Sequence, residues 1–204
     1  PTATQYTECR VIISCNAYKD TTVNHRLMLL AALLFTLGGC ATHNTVSDGV
    51  DGQLMLRGHD PVAYFTVGEP TLGKPEIKTE YEGVTYRFAS AATREQFRLN
   101  PDKFKPQFNG YCSNGLAYAI PLGGEAQSFK IVNGRLFMFG GANSKKYWEM
   151  DQQRNLELGD NYWQTEAKDS IPRFQAWKRL IFKVPHYKTN RELAAEWEAR
   201  QARK

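Results

Sequence analysis

No C-x-x-C pair, H-E-x-x-H helix, phosphate-cradling glycine loop or G-x-S-x-G elbow occurs in this chain. The sequence patterns of clustered-thiolate, zinc-hydrolase, nucleotide and serine-hydrolase chemistry are therefore missing. Cysteine is limited to four residues and histidine to four, too few for a disulfide framework across a chain of this length. There is no Lys/Arg stripe and no zinc-finger spacing, which excludes the usual signatures of nucleic-acid binding. Charge is mild. From Cys40 onward 23 Lys and Arg stand against 19 Asp and Glu, near +4, which favours an acidic neighbour such as anionic lipid. No apolar run is long enough to span a bilayer.

The apolar run that does occur, Leu27 to Leu37, is eleven residues long. At ~1.5 Å per residue it crosses about half of a ~30 Å hydrocarbon core. His25 and Arg26 precede it; Gly38 and Gly39 follow. Basic flank, short apolar run and small residues define a secretory signal. The ending Leu37-Gly38-Gly39-Cys40 resembles the lipobox of bacterial lipoproteins, which implies cleavage before Cys40 and lipidation there. The first residue is Pro1, and Val23 is the expected translation start. We expect residues 1–39 to be an upstream segment and signal peptide that is removed. Residues 40–53 then form a lipidated cysteine and polar tether on the periplasmic side of a bacterial envelope. Ala41 in place of Asp leans towards the outer membrane.

After the tether, 54–163 reads as one domain with two hairpins. Ile77, Thr79 and Tyr81 alternate with Lys78 and Glu80; Val84, Tyr86 and Phe88 alternate with Thr85 and Arg87. Period two predicts strands with one face buried and one wet, turning at Glu82-Gly83. Ser90 caps a helix to about Asn100, stopped by Pro101. Asn133-Gly134 between apolar runs predicts a type I′ hairpin. Helix follows from Ser144, with a break expected at Gly159. Residues 164–204 read as a basic helical extension, split at Pro172 and Pro185, with a capping box at Thr189 to Glu192. The fold class expected is α+β: a small domain of two β-hairpins and packed helices, plus a helical C-terminal extension.

The segments GHDPVAYF (58–65), YEGVTYRFAS (81–90), FRLNPDKFKPQFNGYC (97–112) and FKIVNGRLFMF (129–139) together resemble the YHS-domain proteins, in the bacterial envelope subgroup with a G-Y-C motif. The likeness covers roughly 54–163. It implies a small α+β fold, and at the Cys112 position some relatives carry selenocysteine. In related short modules cysteines near the aromatic hairpin and helix bind metal. Here those positions are Ala89 and Thr93, so a thiolate pair for a soft metal is absent. His59 stands where the subgroup has Tyr.

With Cys9 and Cys15 upstream of the signal and Cys40 lipidated, Cys112 is the one thiol left in the mature chain. It is packing, ligand or nucleophile. His59 and Asp60 are the candidates to join it, as ligands or a proton-transfer pair; the plain alternative is that Asp60 caps a turn before Pro61. Copper or zinc fits a Cys/His site. The leading function is a non-enzymatic, lipid-anchored binding module for a metal ion or small ligand. A thiol redox protein using Cys112 is the alternative. A third is an interaction protein in which Cys112 only packs. Partners expected are the membrane through Cys40, and an envelope protein or anionic lipid through 164–204.

Overall fold

The computed structural model describes residues 43–203. The expected signal peptide and the lipidation site Cys40 lie outside the described residues. The architecture is α+β: a four-stranded mixed sheet, a separate two-stranded hairpin, and helices gathered mainly after them. No described helix is long and apolar enough to cross a membrane.

The mixed sheet has the order β1-β2-β4-β3, with β1 at Thr45–Val46, β2 at Leu54–Met55, β3 at Lys74–Tyr81 and β4 at Val84–Phe88. β3 and β4 form the first expected hairpin, and Glu82 and Gly83 both take positive φ at its turn. β2 runs parallel to β4 through Leu54 and Thr85. This puts β4 inside the sheet, and both of its faces are buried. Val84, Tyr86 and Phe88 pack on Phe97 of helix α2 (Ala91–Leu99). A short turn of helix, α1 (Ala63–Thr66), precedes β3 and brings Tyr64 into the same core.

The other face of β4 corrects two expectations. Thr85 and Arg87 are buried, not wet. Their cover is the stretch expected as tether. Arg87 donates to Asp51 Oδ2 through Nε at 2.8 Å and Nη2 at 2.6 Å, and its Nη1 lies 2.6 Å from Asp48 Oδ2. Lys78 reaches Asp51 Oδ1 at 2.5 Å. A cation on a covered strand face requires paired carboxylates, and the residues around 48–51 supply them. From His43 onward the polar lead is thus part of the folded body rather than a spacer.

The second hairpin joins β5 (Glu125–Val132) to β6 (Arg135–Phe139) across Asn133 and Gly134, whose φ values of 52° and 73° suit a type I′ turn. β6 is buried on both sides. Leu136 and Met138 enter the core of the mixed sheet, whereas Phe137 and Phe139 enter a second core with Phe108, Leu116 and Trp148. α3 (Pro101–Phe104) and α4 (Ser113–Leu116) are single turns in the segment between the hairpins.

α5 (Ala142–Glu149) and α6 (Gln152–Tyr162) follow. The break falls at 150–151, not at Gly159. Gly159 lies within α6, where an added Cβ would come 3.2 Å from the Phe108 ring; the glycine there makes room for a neighbour. α6 runs on into a π-turn at Trp163–Ala167, so Tyr162-Trp163 does not end the packed region. α7 (Pro172–Ile181) and α8 (Asn190–Gln201) form the C-terminal part, with the Thr189–Glu192 capping box closing the start of α8. This part is bound to the domain: Ala176 and Val184 share a core with Tyr118 and Ile120, and His186 Nε2 lies 2.9 Å from the Ala117 carbonyl oxygen.

Candidate functional site

Cys112 sits on a loop that the rest of the fold holds tightly. Phe108, Asn109 and Gly110 take positive φ in succession, at 54°, 51° and 79°. Left-handed backbone at two non-glycine residues is costly unless its surroundings impose it. Here Asn44 imposes it. Its side-chain amide donates to Gly110 O and Gly124 O, each at 2.9 Å, and its backbone N–H donates to Asn109 O at 2.9 Å. Phe108 is buried against Phe137 and Trp163. The chain then extends through Tyr111 and Cys112, where the Cys112 N–H donates to Leu122 O at 2.8 Å and a bridge pairs Cys112 with Met138 of β6.

Cys112 is 5% exposed, and its sulfur is held by groups far away in sequence. The Gly140 N–H donates to Sγ at 3.2 Å, and Ser144 Oγ lies 3.1 Å from it. Both come from the end of β6 and the first turn of α5. An N–H aimed at sulfur stabilises negative charge developing there.

Cys112 lines a cavity of about 540 Å³. Asn114 and Tyr118 form one side, Gly140 and Ser144 another, and Tyr187, Lys188 and Leu193 from the C-terminal part complete it. The extension is therefore a wall of the site. A cavity of this size suits a small molecule. Asn114 is only 8% exposed, yet its carboxamide has no hydrogen-bond partner among the described residues. The Asn114 amide borders the cavity and is open to it, so its donor and acceptor are available to a bound molecule. Burial pushes the Tyr118 hydroxyl up to about 12, so at neutral pH it presents a neutral O–H group to the cavity.

The other two sequence candidates stand elsewhere. His59 Nδ1 is 3.0 Å from Leu56 O, and Nε2 is 3.2 Å from the Gln127 amide nitrogen. The Nδ1–H tautomer satisfies both, donating to the carbonyl and accepting from Gln127. Asp60 is wholly buried. Its Oδ1 accepts from the Val62 N–H and its Oδ2 from the Ala89 N–H, both at 2.9 Å. Asp60 thus ties the start of α1 to the end of β4. Neither residue lines the Cys112 cavity. Ala89 and Thr93 also have structural parts, Thr93 closing the Ser90 capping box. Among the described residues, no group of three or more His, Cys, Asp and Glu side chains is placed to hold a metal ion.

Asn114, Gly140 and Ser144 were not legible as site residues. Gly140-Gly141 reads as the end of a hairpin, and nothing local marks Ser144, 32 residues from Cys112. The chain matches no family model, no curated protein and no solved structure.

Proposed function

We propose that this chain is a lipid-anchored envelope protein of the YHS type that binds a small polar molecule in the cavity at Cys112. The observation that carries this reading is the pairing, in one cavity, of a positioned thiol with the Asn114 carboxamide, whose polar atoms are open to the cavity. A carboxamide offers both donor and acceptor, so the ligand is one with amide-like or hydroxyl groups. The metal version is weaker. Cys112 contributes a single sulfur, and His59 and Asp60 spend their polar atoms elsewhere. The envelope location rests on the Leu27–Cys40 pattern of the sequence.

Iodoacetamide, a small amide electrophile, is a direct probe. The native full chain should be alkylated at Cys112 and Cys112→Ser should not react there, with peptide mass mapping separating Cys112 from the other cysteines. Asn114→Leu should slow the native reaction severalfold while leaving the rate in denaturant unchanged. Alkylation of Cys112 only after denaturation would overturn the reading. Zn(II) titration addresses the metal alternative: one equivalent bound by wild type and lost in Cys112→Ser would restore it.

The Gly140 N–H on sulfur favours one second reading, thiol redox chemistry. Mild peroxide should then convert Cys112 to a sulfenic acid that a dimedone-type reagent traps. Absence of trapping in chains that iodoacetamide does alkylate would remove it.

A further inference from the structure

α7 has two apolar faces. One is spent on the fold: Pro172, Gln175 and Ala176 are buried, and Gln175 Nε2 donates to Ala119 O at 3.2 Å and Glu166 Oε2 at 3.0 Å. Lys178 and Arg179 reach the same Glu166 and hold the helix down. The opposite side carries Phe174, Trp177 and Ile181, spaced three and four residues apart and therefore on one stripe. Phe174 is 59% exposed and Trp177 58%, and their rings lie 6.0 Å apart. Ile171 and Phe182, at the two ends, are also more than half exposed. Single exposed apolar residues are ordinary, but a contiguous aromatic and aliphatic stripe marks an interaction surface.

We infer that this face of α7 seats on an anionic lipid bilayer. Charge is the first argument. Between Ile171 and Lys183 there are four basic residues and no acidic one. Arg173 and Lys183 flank the stripe; neither forms an ion pair among the described residues, and Lys183 Nζ lies 4.9 Å over the Tyr187 ring. Aromatic side chains beside basic ones that no carboxylate neutralises are the composition of helices that lie in the headgroup layer, where each Lys or Arg is drawn to anionic lipid.

Position is the second argument. His43 and Asn44 line one cavity of about 520 Å³ together with Ile171, Pro172 and Arg173. The described chain therefore begins against the start of α7. Cys40 is three residues earlier, so the chain between them reaches at most about 10 Å. On the proposed lipidation reading, the acyl chains would leave the protein beside the stripe. The acyl chains would hold the protein at the membrane, and the apolar, basic face of α7 would fix how it lies there. The Cys40 point rests on that reading; the stripe and its charge do not.

Mouth and membrane face also adjoin. Leu122 and Leu180 line the Cys112 cavity and are about half exposed, and Leu122 also borders the cavity beside Ile171.

The test uses the full chain reconstituted into vesicles of phosphatidylglycerol and phosphatidylcholine with brominated acyl chains, which quench tryptophan only on contact. Wild type should be quenched, and Trp177→Phe should lose most of that quenching. Phosphatidylcholine-only vesicles should quench Trp177 less, and Arg173→Gln with Lys183→Gln should reproduce that drop in the anionic vesicles. Equal quenching of wild type and Trp177→Phe would overturn the inference. So would concentration-dependent self-association that shields Trp177 without lipid quenching, which assigns the stripe to a second copy. Cys40→Ser separates the two claims. Release of this variant from vesicles supports the lipid anchor, whereas Trp177 quenching in wild type reports on α7 whichever way Cys40 behaves.

Discussion

Replacing Asp60 separates a structural carboxylate from a ligand. Its two oxygens accept one backbone N–H each, from Val62 and Ala89, in a fully buried setting. Hydrogen bonds to a charged acceptor contribute about 1.5–3 kcal/mol each. Asp60→Ala leaves both N–H groups buried without an acceptor and should cost about 3–5 kcal/mol. Asp60→Asn keeps the shape but can accept at only one end, and its amide nitrogen then faces an N–H donor. Its cost should be about 2 kcal/mol. With a urea dependence of about 2 kcal/mol per molar, the unfolding midpoint should fall by roughly 1 M for Asn and 2 M for Ala. Urea melts of the full chain at neutral pH, followed by circular dichroism, read this directly. The same variants should leave the native iodoacetamide reactivity of Cys112 unchanged at low urea, because Asp60 does not line that cavity. A midpoint for Asp60→Asn within about 0.2 M of wild type would refute the reasoning. It would return Asp60 to the pool of residues kept for binding.

Acid should destabilise the fold in a defined window. The Asp51 and Val50 N–H groups and the Arg87 side chain hold the Asp48 carboxyl near about 2, with the Asp51 N–H the strongest of these, against an ordinary 3.8. Asp51 is also lowered, first by Lys78, with burial opposing and Arg87 adding. Folded-state values below the unfolded ones mean that this stability is complete above pH ~4 and is lost as pH falls towards 2. Urea midpoints at pH 6, 4 and 2.5 should show the fall. Lys78→Met should make it shallower, and a flat profile in wild type would count against the ion-pair account. Gly115→Ala places a Cβ 2.5 Å from the Ile120 carbonyl oxygen. Overpacking against backbone should cost about 1–3 kcal/mol, read as a lower thermal midpoint; an unchanged midpoint would show that the 115–120 turn can shift.

The legible parts of this fold are those whose causes are local. Asn133-Gly134 announces its turn because two adjacent residues must take positive φ. Ser90 and Thr189 announce their helices because a cap and its partner sit three residues apart. What escaped is long-range. The parallel pair of β2 and β4 leaves no turn signature, so Arg87 looked like the wet face of a two-stranded hairpin. The polar composition of 43–53 suggested a tether, yet its two aspartates serve a cation some 36 residues on. β6 reads as a plain apolar run, and nothing in that run shows that alternate residues enter different cores. Cys112 stood out through its scarcity, but its hydrogen-bond partners come from a helix start that only tertiary packing brings near. His59-Asp60 shows the reverse: chemically suggestive residues whose polar atoms are spent on backbone groups and on Gln127.

Asn44 has a mechanical consequence. If Cys40 is lipidated as proposed, any pull from the membrane would enter through the segment that leads to Asn44. That residue clamps Gly110 and Gly124, on the loops either side of Cys112. Tension from the preceding segment would then load the three Asn44 hydrogen bonds to Asn109, Gly110 and Gly124, ahead of the sheet beyond them. Under such a pull the first strain would fall on the two loops that flank Cys112, and the mixed sheet would be loaded only after them.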